Sequence, residues 1–197
     1  MSTALWKAVE SANLVGLQAA IDAGASIDAI DESNRDKDSV LGTLCKSQSG
    51  EMSKKEVAAA LWLIERGADV NHVNNDGATP LHHAVASGSH AAIDALISHG
   101  ARATKDKFGN SLLHSAVSSE DKDRWIWDRV IELGCGLDDV NNQGCTPLHE
   151  AVSGDNLVAA KYLLGRGADR SVHDRRGKTA LQTAETMDSA KMQKLLK

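Results

Sequence analysis

One glycine-bearing phrase returns along this chain at a nearly constant interval, and that period limits the fold more tightly than composition does. It reads "DAGASID" near Gly24, "ERGADVN" near Gly67, "SHGARAT" near Gly100, "ELGCGLD" near Gly134 and "GRGADRS" near Gly167. The intervals between these glycines are 43, 33, 34 and 33 residues. A second phrase recurs with it: "GATPLHHAV" from Gly77, "GNSLLHSAV" from Gly109, "GCTPLHEAV" from Gly144 and "GKTALQTAE" from Gly177. Weaker forms are "TALWKAV" from Thr3 and "SVLGTLC" from Ser39. A chain that repeats one small unit in this way buries its apolar faces between neighbouring units.

Each unit reads as two short helices and a turn. Thr79 is a natural N-cap, and Pro80 fits the first helical turn, where its missing N–H costs nothing. Leu81, Ala84 and Val85 give the first helix an apolar face, and "ASGSH" ends it. Ile93, Leu96 and Ile97 line the second helix at i, i+3 and i+4. Gly100 falls where that helix should close on a left-handed residue. With one Phe and one Tyr against four Trp, the core relies on Leu, Ile, Val and Ala, as closely packed helices do.

On the T-P-L-H start and the period, the chain resembles the ankyrin-repeat family over nearly all of its length. The resemblance implies an all-α solenoid of stacked helix-turn-helix units with short β-hairpin turns. It implies one domain over 1–197, in about six units: an N-terminal cap at 1–34, then 35–74, 75–106, 107–141 and 142–174, and a C-terminal cap at 175–197. The second unit departs most. Its surplus falls in "KSQSGEMSK", residues 46–54, and its preceding turn "DESNRDKD" lacks the usual glycine. A smaller surplus is "SSEDKD" in the fourth unit. Such insertions are either drift in a tolerant loop or part of a binding side.

Chemistry-bearing residues were weighed against this scaffold. Cys145, His149 and Glu150 stand close enough on one helix to suggest a nucleophile and its base. His149, however, shares its register with His82 and His114, where no cysteine precedes. The family resemblance implies that this histidine bridges to neighbouring turn backbone, and no catalytic residue is expected. His82, His114 and His149 belong to different units, too far apart to share one ion whose ligands lie about 2 Å away. No metal or cofactor is expected. The net charge of −5 gives no reason to expect nucleic acid as the default partner.

No stretch approaches the ~20 apolar residues of a membrane span, and "MSTALWKAVESANL" lacks the pattern of a secretory signal. Three cysteines, Cys45, Cys135 and Cys145, form no CxxC pair, which suits a reducing compartment. A cytoplasmic protein is expected, with signal-less export left open.

In the ankyrin family, partners bind the concave face made by hairpin tips and first helices. Carried over by register, the tip candidates are Arg35, Asp36 and Asp38; Asn75, Asp76 and Ala78; Lys107, Phe108 and Asn110; Asn142, Gln143 and Cys145; and Arg175, Arg176 and Lys178. On the first helices, Lys46, His83, Ser115, Ser118, Glu150 and Ser153 should face the same groove. Phe108, the only phenylalanine, either folds back on a neighbouring turn or anchors a partner. The basic cluster of Arg166, Arg170, Arg175, Arg176 and Lys178 suits a solvated face or an acidic protein surface. Trp127 fits the core, Trp62 fits half-buried packing, Trp6 replaces the usual histidine and should close the N-terminal end, and Trp125 should point to the convex side.

The expected function is a non-catalytic module that binds another protein, as adaptor or steric inhibitor, and is monomeric when unbound. A bacterial toxin-neutralising immunity protein or a secreted effector acting on a host protein are the alternatives.

Overall fold

The computed structural model describes residues 3–47, 51–118 and 123–197. Among them are twelve helices and no strand; the one β-bridge is isolated, between Ile30 and Ser39. The chain divides into two compact units, residues 1–102 and 103–197. The first holds α1 (Thr3–Glu10), α2 (Leu14–Asp22), α3 (Val40–Cys45), α4 (Lys54–Glu65), α5 (Pro80–Ala86) and α6 (His90–Ser98). The second holds α7 (Leu112–Ser118), α8 (Arg124–Glu132), α9 (Pro147–Ser153), α10 (Leu157–Gly165), α11 (Ala180–Thr186) and α12 (Ala190–Leu196). None of these helices is long and apolar enough to cross a membrane.

Inside each unit the helices form two rows. In the first, α3 packs on α1, α4 and α5, while α4 lies between α2 and α6. In the second, α9 packs on α7, α10 and α11, and α12 on α10 and α11. The core is aliphatic, as the composition demanded: Leu41, Leu63, Leu81, Ile93 and Leu96 are at most 1% exposed in the first unit, as are Leu112, Leu148 and Leu163 in the second. Truncating one of these leucines to alanine removes contacts worth about 2–5 kcal/mol.

Trp127 is the large exception and lies where the register put it. It is buried, its indole N–H donates to the Ala116 carbonyl at 3.0 Å, and its ring meets Tyr162 at 5.0 Å between centroids. Trp62 is half-buried, with the Arg66 guanidinium 4.0 Å above its ring, and Tyr162 carries Arg166 in the same i+4 relation. Trp6 is half-buried. Trp125 is also half-buried rather than standing clear on a surface.

The hairpins follow one local rule that the sequence reading passed over. Three residues before the turn glycine stands Asn or Asp, and one of its side-chain oxygens accepts two backbone N–H groups. Asn74 takes those of Asp76 and Ala78; Asp106 those of Phe108 and Asn110; Asn141 those of Gln143 and Cys145; Asp174 those of Arg176 and Lys178. These Asx turns need a left-handed residue at the glycine position. In the turn that lacks a glycine, Lys37 takes that position at φ 56°, and Asn34 accepts its N–H.

The surplus in the second sequence repeat is not all loop. α4 has 12 residues against nine in α6 and α10, so part of the extra length is an added turn of helix. A Ser53–Glu56 capping box starts that helix, and the Ser47 hydroxyl donates to the Glu51 carbonyl. Residues 48–50 of that segment, and 119–122 of "SSEDKD", lie outside the described residues.

Gly100 closes α6 at φ 87°, as the register required. Two other glycines separate conformational from steric cost. Gly144 and Gly177 have nearly the same φ, 76° and 75°. A β-carbon on Gly144 would lie 2.8 Å from the Arg175 backbone nitrogen, whereas one on Gly177 would meet nothing within 4 Å. Gly177→Ala is expected to cost about 1 kcal/mol for the left-handed backbone alone. Gly144→Ala should cost at least about 1 kcal/mol more, because two hairpins must move apart. Urea unfolding midpoints of the two variants check this; equal losses would refute the close approach.

Candidate functional site

The site begins with the histidine at the third position of a first helix. In α9, Thr146 and His149 cap each other: the Thr146 hydroxyl accepts from the His149 N–H, and His149 Nδ1 accepts from the Thr146 N–H at 3.2 Å. Because Nδ1 accepts, the proton sits on Nε2, which donates to the Lys178 carbonyl in the next hairpin at 3.2 Å. His114 does the same, with Nδ1 on the Ser111 N–H and Nε2 on the Cys145 carbonyl at 2.9 Å. His82 Nδ1 accepts from the Thr79 N–H. Each carbonyl that a histidine reaches also closes its own hairpin, accepting from Asn141 or Asp174.

Backbone joins successive hairpins too. Within the first unit the Asn75 N–H donates to Asp36, and within the second Asn142 donates to Phe108 and Arg175 to Gln143. The Asn75 and Asn142 amides add a second tie, to the carbonyls of Arg35 at 2.8 Å and Lys107 at 3.0 Å.

This framework leaves Cys145 no chemistry of the kind its spacing suggested. Both nitrogens of His149 are engaged, so the imidazole has no lone pair for the thiol. Burial pushes the thiol's pKa up, and the carboxylates of Glu150 and Asp174 push the same way. Burial pushes Cys135 up as well, and Cys45 up to about 12.

In the second unit, hairpin tips and first helices enclose an open cavity of about 480 Å³. Eight of the residues expected by register line it together: Asn142, Gln143, Cys145, Glu150, Ser153, Arg175, Arg176 and Lys178. His149, Asp174, Thr183, Thr186 and Met187 complete the wall. Thr183 and Thr186 were missed because the last repeat was read only as a cap, although they stand four and seven residues after Thr179, the spacing of Glu150 and Ser153 after Thr146. Of the other expected residues in this unit, Lys107, Phe108 and Ser118 are exposed and Ser115 is half-buried. The Asn110 side-chain amide oxygen accepts from the Asn141 side-chain amide. Phe108 does not fold back into cover: it is 56% exposed, with the Lys107 ammonium 5.0 Å from its ring centre.

In the first unit the expected residues form a self-contained polar cluster. Asp38 is 2% exposed; it accepts from Asn74 at 2.7 Å and meets His83 at 3.0 Å and Lys46 at 3.3 Å. Lys46 also pairs with Asp36. Asp38 therefore supports its neighbours from beneath the surface, while Arg35, Lys46 and Asn75 are exposed and Asp36, Asp76 and His83 half-buried. Burial by itself would raise the Asp38 pKa, but the His83 contact, the Asn74 amide and the Lys46 charge outweigh it and lower it to about 2.

Models of ankyrin repeats match residues 51–126 and 130–184. The chain belongs to the ankyrin-repeat family. Its structure resembles the crystal structure of the human ASB11 ankyrin repeat domain with a TM-score of 0.79 and 29% identity, covering 98% of this chain and 81% of that one. Among curated proteins it is similar to the human transient receptor potential cation channel subfamily A member 1, with 33% identity over 53% of this chain and 10% of that protein. It is 32% identical to an ankyrin repeat protein of fowlpox virus, over 57% of this chain and 34% of the viral protein. The chain thus spans about a tenth to a third of these curated relatives. Ankyrin repeats are protein-interaction modules, and the solenoid with short hairpin turns expected from the sequence is the fold of this chain.

Two titrations follow from this geometry. Burial lowers the His114 pKa below its ordinary 6.5, so the unfolded chain takes up that proton first as pH falls. Stability from this site is complete above about pH 6.5 and falls as pH drops below it. Gln182 fills the same register position in α11 and accepts the Thr179 N–H at 2.8 Å, so glutamine can cap without titrating. His114→Gln is expected to lose less stability between pH 7.5 and 5.5 than the parent chain, read from urea midpoints at both values. Asp38 acts in a lower window: the stability it supplies, about 2 kcal/mol at neutral pH, is lost as pH falls from 3.8 through about 2. Asp38→Asn should flatten the acid limb there.

Proposed function

We propose that this ankyrin-repeat chain is a non-catalytic binding module. It holds a partner protein against the concave face of hairpin tips and first helices, and acts as adaptor or steric inhibitor. The six repeats bounded as above work as one binding domain, monomeric until the partner binds. The cytoplasm is the compartment that suits its unpaired cysteines. The observation that carries the reading is the cavity in the second unit, where eight register-selected side chains meet on scaffold whose own hydrogen bonds are already satisfied. Its walls offer hydroxyls, amides and charges without an activated nucleophile, which suits recognition and not turnover.

Phe108 is the natural anchor. Exposed aromatics at the centre of an interface carry a disproportionate share of binding energy, and here a lysine and polar tips rim the ring. Affinity capture from the native cell should be run with the parent chain, Phe108→Ala, and a control altered on the second helices, Lys161→Ala. Phe108→Ala is expected to weaken binding of the captured protein by about 2 kcal/mol or more, while changing folding stability by less than about 1 kcal/mol. Lys161→Ala should bind as the parent does. A partner whose affinity follows Lys161 and ignores Phe108 would refute the concave-face assignment.

A further inference from the structure

The two units treat their charges differently. In the first, most hairpin charges meet a partner: Lys46 pairs with Asp36 and Asp38 and Lys37 with Glu32, while His83 hydrogen-bonds Asp38 and Arg35 stands at its tip with no ion pair within 4 Å among the described residues. In the second, Arg175 and Arg176 are exposed at the last hairpin tip, and neither has an ion pair within 4 Å among the described residues. Among the described residues, Lys178 on the groove wall gives its ammonium to the Thr186 hydroxyl alone, at 3.0 Å.

No nearby carboxylate forms an ion pair with these cations within 4 Å among the described residues. Asp174 is committed to the Lys178 and Arg176 N–H groups, which hold its pKa below the ordinary range, although the Arg176 charge also reaches it and helps to lower that pKa. Glu150 accepts from Asn141. Register adds an independent sign. Where Asn75 and Asn142 use an amide to tie their hairpin to the one before, the last hairpin has Arg175. That side chain is released from the scaffold and carries a planar, carboxylate-matching charge instead.

From this we infer that the groove between α9 and α11 takes an acidic segment of the partner protein, its carboxylates clamped by Arg175 and Arg176 and drawn in towards Lys178. The inference rests on the concave-face reading above and names the chemistry of the partner there. A protein segment fits better than a nucleic acid. Glu150 stands on the groove wall, where a peptide can place an uncharged residue but a phosphate backbone cannot avoid it, and the one aromatic ring among the described lining residues, His149, is buried and offers no face for bases to stack on.

The test uses the full chain on an array of random-sequence peptides of one length, followed by amide chemical-shift mapping with the best binders. Bound peptides should be enriched in Asp and Glu, should shift the amides of Gln143, Ser153 and Lys178, and should weaken as salt rises. R175E/R176E is expected to weaken the selected peptide at least about tenfold. R175Q/R176Q does so by a smaller factor, with both urea midpoints unchanged. Neutral or basic peptides that shift the same amides would overturn the acidic assignment and leave the concave face standing. Acidic peptides that shift only amides outside the groove would overturn both. A single-stranded oligonucleotide that binds the groove and displaces the peptide at equal concentration would overturn the choice of a protein ligand.

Discussion

In two repeats of the second unit, one imidazole holds together parts that the sequence keeps about thirty residues apart. His149 and His114 each accept an N–H at the start of their own helix and donate to a carbonyl in the following hairpin. The ring has one acceptor and one donor only when neutral, so the bridge depends on protonation state as well as on position. That carbonyl already closes its own hairpin. Helix cap, hairpin and neighbouring repeat are therefore fixed at a single oxygen, and the rest of the stack hangs from such points.

With the frame fixed this way, the hairpin tips are free to differ. The Asx oxygen satisfies two backbone N–H groups whatever side chains stand between, so Lys107–Phe108, Asn142–Gln143 and Arg175–Arg176 occupy the same turn with different chemistry. Lys37 shows the limit of that tolerance: even the turn glycine is dispensable when Asn34 accepts the N–H of the residue that replaces it. Recognition can change at the tips without disturbing the core of Leu, Ile, Val and Ala beneath them.

Much of the site was legible in advance because register in a repeat converts sequence position into spatial position. Position relative to each Thr or Ser cap puts Glu150, Ser153 and Lys178 on one wall, and the folded chain has them there. The same count would have added Thr183 and Thr186 had the last repeat not been read only as an end piece. Asp38 was harder. Its register matches Ala78, Asn110 and Cys145, yet it is buried by Asn74, His83 and Lys46, partners contributed by three different segments.

The sequence by itself determined the repeat, its two helices, the caps and the left-handed glycines. All of these arise from interactions within a few residues or from a pattern copied at fixed intervals. Tertiary structure alone decided which charges are spent and which remain. Arg175, Asp36 and Asp38 look alike in sequence as charged tip residues. Only the packed chain shows Asp36 and Asp38 sharing the Lys46 ammonium, and Arg175 left facing the groove. Ion pairing depends on distances of a few ångströms between side chains from different segments, and no local pattern in the sequence records those distances.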